Sequence, residues 1–339
     1  MALTAILIIK NTWNFEMLKA IEVIPYNSNW PLIFEKEAAL LRQSLADNCI
    51  AIYHIGSTSV PGLAAKEDID ICVVVQHLQK SLEHYAFKGE INIPLRYFFS
   101  KNSAESKVNL HMVEADHGFL TLNLCFTEYL RSHDEDRLAY ARLKYELLQS
   151  PEAHTRSNMN FTGYTLGKYQ FINDILDKAG FNAVRLMHCM HPVEWAAAKH
   201  FRDTYFFAPC GIKDGYTWTF NHIDHAHLVL YEGTQIIAYA HVEFLPDHRS
   251  LLRMLVVDKN KRNMGFGSRL LSLMEKWLKS LDIKSFHLTS RQSSLRFYLK
   301  NGYAKIPFDA STCMSYDLPK PGLEGHISDK KHVTLGKIL

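Results

Sequence analysis

Little in this 339-residue chain points to a metal knuckle, a disulfide framework or a membrane span. Its six cysteines, at 49, 72, 125, 189, 210 and 313, stand singly, with no C-x-x-C pair. That spacing argues against a zinc knuckle and a disulfide framework, and leaves reduced thiols in a cytoplasm as the expected state. No run reaches the roughly 18 consecutive apolar residues that a transmembrane helix needs, so no membrane association is expected. The opening "MALTAILIIKNTWNFEM" has an apolar stretch from Ala2 to Ile9 without a basic residue before it or a small-residue cleavage site after it. An extension or extra strand over 1–20 is therefore expected rather than a secretory leader. Net charge is only +3 with histidines neutral, too small for a nucleic-acid footprint. No repeat of roughly 20–50 residues and no low-complexity segment is visible.

What is present is enough for two globular units at roughly 100–200 residues each. Hydrophobic content of 47% and charged content of 22% let each bury a core. "SNWPLIFEKEAALLRQSL" predicts a helix: Ser28 or Asn29 can cap it, Pro31 suits its first turn, and Phe34, Ala38, Leu41 and Leu45 share a face. "CIAIYHIG", "DIDICVVV" and "KVNLHMVEA" read as strands, and "EDRLAYARLKYELLQ" and "TLGKYQFINDILDKAG" as helices, the last closed by Gly180. The pattern restarts after Gly180, which puts a boundary near 180–184. "AVRLMHCM" is strand-like, "PVEWAAAKHFRDTYFF" helical, and "HAHLVLYEGTQIIAYAHVEFL" a hairpin turning at Glu232-Gly233. "SLLRMLVV" is a strand, and "GFGSRLLSLMEKWLKSL" a helix with Leu270, Met274, Trp277 and Leu281 at helical spacing. "SFHLTS" and "CMSYDL" complete an α/β pattern, and the polar tail over 319–339 is expected to fray.

The strongest chemical signal is "LVVDKNKRNMGFGSRLL", residues 255–271. A strand ends at Val257, a basic loop follows, and Gly265 and Gly267 open a helix. The first helical turn exposes N–H groups without intrahelical partners, and the helix dipole favours an anion there. The glycines remove side chains that would block a close approach, and Arg262 adds donors matched to phosphate oxygens. The stretch is built to grip a diphosphate. Its R-x-x-G-x-G order resembles motif A of the GNAT acetyltransferases, and "RQSSLRFYLKNGY" resembles that family's closing element. The resemblance covers about 184–318 and implies an acyl-CoA N-acyltransferase domain that passes an acetyl group from acetyl-CoA to an amine. It also implies that Leu255, Val256 and Val257 pair with pantetheine, and that Arg262, Asn263, Met264, Gly265, Phe266, Gly267 and Ser268 hold the pyrophosphate. By the same resemblance Tyr298 protonates the leaving thiolate, while Arg291 stands where an asparagine is common.

A base for the amine is harder to name. "AYAHVEFLPDHR" places His241 and Glu243 on one face of a strand, so either could take a proton, with Glu243 as the candidate and plain polar placement as the alternative. "HCMH" at 188–191 and "HIDHAH" at 222–227 lack a cysteine or carboxylate set at zinc spacing, so they read as ordinary polar positions.

In the first half, "HIGSTSVPGLAAKEDIDI", residues 54–71, ends one strand at Gly56-Ser57 and begins the next with Asp68 and Asp70. Residues i and i+2 share a face, so both aspartates could bind one divalent metal. The Gly56-Ser57 turn could meet a nucleotide phosphate, and Lys66 could touch it or stay solvated. This stretch, with "IEVIPYNSNWPLIFEKEA", "NLHMVE" and "EYLRSHDEDRLAYARLKYELL", resembles the GrpB (UPF0157) family over about 21–178. The resemblance implies a nucleotidyltransferase-like mixed-sheet domain over 21–180, with Mg2+ if it is catalytic. Asp70 is the matching acid, Asp68 replaces an apolar residue, and Cys72 stands where a second acid would fall. Near the place of a third acid, His111 and Glu114 lie on opposite faces. Metal-dependent nucleotidyl transfer, nucleotide or phosphate binding without turnover, and a non-catalytic module remain open on the sequence.

Overall fold

Short apolar runs separated by turn residues fold here into two mixed sheets, each covered by helices. The computed structural model describes residues 21–102, 106–157, 161–306, 308 and 332–339. The extension expected over 1–20 and the strand expected at "CMSYDL" lie outside them. The chain divides into two compact units near residue 185.

The first unit opens with α1 (Trp30–Leu45) and a five-stranded sheet of β1 (Cys49–Ile55), β2 (Asp68–Val75), β3 (Ala86–Gly89), β4 (Tyr97–Asn102) and β5 (Lys107–Glu114). The spatial order is β1-β2-β5-β4-β3, with β2 parallel to β5 and the other neighbours antiparallel. Strand β2 lies between β1 and β5 and is buried on both faces over its second half, which explains its unbroken apolar end. Ile69, Ile71, Val73 and Val75 pack with Trp30, Phe34, Ala38 and Leu41 of α1. Cys72 and Val74 face the other way, toward Phe119, Leu120 and Leu124 of α2 (Gly118–Ser132). Helix α3 (Asp134–Leu148), a small ribbon of β6 (Arg156–Ser157) and β7 (Phe161–Thr162), α4 (Gly163–Gly167) and α5 (Tyr169–Lys178) complete the unit. Asp68 and Asp70 thus share the α2 side of β2, beside Lys107 and Asn109 of β5.

The second unit holds β8 (Val184–His188), α6 (Pro192–Arg202), β9 (His225–Glu232), β10 (Gln235–Leu245), β11 (Arg249–Val257), α7 (Phe266–Ser280), β12 (Ser285–Arg291), α8 (Leu295–Lys300) and β13 (His332–Ile338). Its sheet runs β13-β12-β11-β10-β9-β8. Helix α7 connects the parallel pair β11 and β12, burying Leu270, Leu271, Met274, Trp277 and Leu278. Strand β13 departs from the expectation that 319–339 frays. Residues 332–338 pair antiparallel with β12 from Arg291↔His332 to Ser285↔Ile338. The alternation in "HVTLGKI" is short, and its polar neighbours hid it. Leu335 is wholly buried, and a Cβ on Gly336 would stand 2.8 Å from His287 Nδ1. Leu335→Ala is expected to cost about 2–5 kcal/mol, read as an earlier midpoint in urea. No helix among the described residues is long and apolar enough to cross a membrane.

Candidate functional site

Strand β11 keeps different company at its two ends. It pairs with β12 only from Arg249↔Ser285 to Leu252↔Leu288, while on its other side it stays with β10 as far as Val257↔Ala238. His241 lies opposite Met254 and Val242 opposite Leu252, so Arg253 is an extra residue, a bulge that bends the strand. Beyond it the parallel strands part. A cleft of about 830 Å³ opens there, walled by Leu252–Val257 and Leu288–Arg291. Along Arg253–Val257 no described strand pairs with the β12 side, so its main-chain groups are placed to pair with an extended amide chain. Leu255, Val256 and Val257, the residues expected to pair with pantetheine, are on this wall.

The basic loop after β11 is held in shape by its own polar groups. Asp258 accepts from the Asn260 N–H at 2.9 Å, and the Tyr205 hydroxyl donates to Asp258 at 3.1 Å. Arg262 Nε donates to the Val257 carbonyl at 3.1 Å, with its guanidinium 5.2 Å from the Tyr205 ring centre. Gly265 is the residue before α7, left-handed at φ 86°, and no side chain caps the helix. The N–H groups of the first turn are therefore left to solvent or a ligand. Gly265, Gly267 and Ser268 line the cleft with Arg262 and Asn263, whereas Met264 and Phe266, also expected to hold the cofactor, are off its wall. The two glycines answer different demands. A Cβ on Gly265 would meet nothing within 4 Å, so its backbone angle is what needs glycine. A Cβ on Gly267 would stand 3.2 Å from the Phe297 ring, so helix packing, not room for an anion, is its first requirement.

Tyr298, on α8, also lines the cleft. Burial pushes its phenol up to about 12, so it keeps its proton at neutral pH. Glu243 does not fit the free base that the sequence allowed. It is 1% exposed, absent from the wall of the cleft, and joined to Arg253, whose Nε lies 2.5 Å away. Among the described residues, no carboxylate and no histidine lines the cleft. Arg253→Met would leave the Glu243 charge buried without this partner, and is expected to destabilise the fold by about 3 kcal/mol. Adding Glu243→Gln should recover much of that loss in a denaturation cycle.

His241 is an interior link as well. It shares a hydrogen bond with His225 at 3.0 Å and stacks on His227 at 4.2 Å. His227 reaches the Tyr239 hydroxyl at 2.7 Å, which accepts from Arg202 at 3.2 Å, and Arg202 grips Asp214 at 2.6 and 2.8 Å. Burial, with these neighbours, holds His241 well below the usual histidine range, so it is neutral. Sequence reasoning treated the 222–227 histidines as ordinary polar positions and missed Arg202, Asp214 and Tyr239. The available signal was the facing pair of patterns "HAH" and "YAH" on neighbouring strands. Among the described residues, no group of three or more His, Cys, Asp and Glu could hold a metal.

In the first unit, the nucleotidyltransferase-like resemblance implied Mg2+ on Asp68 and Asp70, and the residues do not fit it. Asp68 lies 3.4 Å from Lys66 Nζ and 3.9 Å from Lys107 Nζ. Asp70 accepts from Asn109 Nδ2 at 3.0 Å, and its other oxygen sits where a Gly56 Cβ would be, 2.4 Å away. Two carboxylates that already answer to lysines and an amide lack the oxygen cage of a divalent cation. Gly56, at φ 71°, makes room for Asp70. Ser57 Oγ accepts from Lys144 Nζ at 3.2 Å, a lysine 87 positions further on that the sequence gave no reason to place here. Burial pushes the Asp70 carboxyl up to about 6, against the pull of Asn109. A raised carboxyl contributes stability that is complete below about pH 4 and lost as pH rises through about 6. Asp70→Asn should remove that fall from the stability–pH curve.

A splayed parallel pair beside an uncapped helix mouth defines the second unit as an acetyltransferase-type domain, and residues 193–303 match the model described as "Acetyltransferase (GNAT) family". Residues 20–178 match the model described as "GrpB protein". UPF0157 protein YqkA of Bacillus subtilis is 34% identical over 144 residues, 40% of this chain and 42% of that protein. The chain thus spans less than half the length of that relative. UPF0157 protein BH1888 of Halalkalibacterium halodurans is 31% identical over 137 residues, 38% of this chain and 70% of that protein. The crystal structure of GrpB from Enterococcus faecalis is 33% identical, covering 47% of this chain and 96% of that one with a TM-score of 0.40. The chain belongs to the GrpB (UPF0157) family and carries a GNAT domain after its GrpB domain.

Proposed function

We propose that the second unit transfers an acetyl group from acetyl-CoA to an amine. The observation that carries this reading is the coincidence of two features on one cleft: the parting of β11 from β12 and the uncapped mouth of α7. The freed edge of Arg253–Val257 would align pantetheine, and Arg262 with the first-turn N–H groups would hold the pyrophosphate. Bound there, acetyl-CoA supplies a thioester carbonyl open to attack by a neutral amine. Tyr298 would give its proton to the departing sulfur as the C–S bond breaks. No carboxylate or histidine among the described residues lines the wall, so the proton lost by the amine would pass to water. The five described cysteines are unpaired, which agrees with a cytoplasmic setting. Asp68 and Asp70, held by lysines and an amide, do not fit a divalent metal, so the first unit is read as a binding module rather than a nucleotidyltransferase.

The test is thiol release from acetyl-CoA with a panel of amines, spanning polyamines, aminoglycosides and peptide N-termini. Release that depends on one amine class and yields its N-acetyl product supports the reading. Acetyl-CoA binding without release for any amine would leave a binding domain and overturn transfer.

A further inference from the structure

Two lysines of the first unit form no ion pair among the described residues. Lys144, on α3, is 1% exposed, and its Nζ donates to the Ala64 carbonyl and to Ser57 Oγ and lies 4.5 Å from the Tyr140 ring centre. Lys168, just before α5, has its Nζ 4.4 Å from the Tyr164 ring centre. Neither has a carboxylate within ion-pairing distance among the described residues, and the Lys168 Nζ makes no hydrogen bond there. Lys168 repels Lys144, and Lys66 repels Lys168. The groups facing them are Asp70, which attracts Lys168, and Asp68, which is already drawn to Lys66 and Lys107. Burial and this crowding push Lys144 down to about 7 and Lys168 down to about 8. Burying Lys144 beside Lys168 opposes folding, and Asp70 is the carboxylate left to face them once Asp68 answers to Lys66 and Lys107.

The missing partner is an anion. We propose that the recess bounded by Gly56-Ser57, Lys66, Lys144 and Lys168 binds a phosphorylated small molecule directly through its lysines, without a divalent metal. Gly56, Ser57, Lys66 and Lys168 are each half-buried, so the recess keeps an open side over the closed Lys144. Phosphate suits it better than a carboxylate. A tetrahedral, doubly charged oxyanion can accept from several ammonium groups and a hydroxyl at once, and lysine binds phosphate as a point charge. The metal that usually neutralises a polyphosphate is replaced here by lysines from α3 and the α5 entry. This inference does not depend on acetyl transfer.

The test uses the full chain carrying Gly265→Glu, which silences the second unit's own anion cradle, in buffer with EDTA. Pyrophosphate, inorganic phosphate, ATP and acetate are titrated while melting is followed. Pyrophosphate or ATP at about 100 times its Kd should raise the melting temperature by about 5 °C or more, with acetate inert at the same concentration. A larger response to ATP than to pyrophosphate would identify a nucleotide, and the reverse a bare phosphate, both within the proposal. Lys168→Met should leave the unliganded melting temperature unchanged or higher and weaken pyrophosphate at least tenfold. Lys144→Met, checked for folding by circular dichroism, should weaken it as much. No response in EDTA, a response that needs Mg2+, unaltered affinity in Lys168→Met, or a lower unliganded melting temperature in that variant would each overturn the proposal.

Discussion

Gly265→Glu is expected to abolish the rise in melting temperature that acetyl-CoA gives the wild-type chain. Two effects act at this position. The residue sits at φ 86°, where any L side chain costs about 1–2 kcal/mol. The space around its missing Cβ is empty, so the new side chain would fold without a clash and hang across the mouth of α7. There it replaces the favourable end of the helix dipole with a full negative charge facing a diphosphate. Affinity should fall by at least about 100-fold, or about 3 kcal/mol. Gly265→Ala separates the two effects: it should lose about 1 kcal/mol of stability while keeping affinity within about tenfold. Calorimetric titration with acetyl-CoA checks both variants. Undiminished affinity in Gly265→Glu would remove the cradle from the acetyl-transfer reading.

Tyr298→Phe is expected to lower kcat by about 100- to 1,000-fold, with the KM for acetyl-CoA changed little. The phenol, 9% exposed, makes no hydrogen bond among the described residues, so its loss should barely touch the fold. Its pKa of about 12 sets the pH behaviour. The phenol stays protonated through neutral and mildly alkaline pH, so on the proposed reading the wild-type rate should not fall there for want of this proton. The deficit of the Phe variant should narrow above about pH 8.5, where a free thiol begins to leave without help. A deficit constant from pH 7 to 10 would instead assign Tyr298 to positioning.

Much of the cleft was legible because its signals are local. A strand, a basic loop, two glycines and an amphipathic helix occupy consecutive residues from Leu255 to Leu271, so spacing alone placed the helix mouth and Arg262. Register and distant pairing were not local, and there reading failed. The alternation that put His241 and Glu243 on one face took no account of the bulge at Arg253, which lies across the ladder. Nor could it show that Arg253 would close on Glu243. The acid pair at Asp68 and Asp70 was correctly set on one face of β2, but its chemistry is decided by Lys66, Lys107 and Asn109 around it. Lys144 and Lys168 come from the helical layer, at separations where sequence carries no contact signal.

Strand β13 has a consequence for the birth of the protein. It is the outer partner of β12, supplied by residues 332–338, which follow α8 in the chain. Until that segment emerges, β12 ends the sheet with unsatisfied main-chain groups that a neighbouring nascent chain could capture. The described strands of the first unit lie between residues 49 and 162, so they are complete before the second unit is made. A released chain truncated after residue 300 should therefore aggregate through the second unit, and a peptide of residues 332–339 added in trans should suppress it.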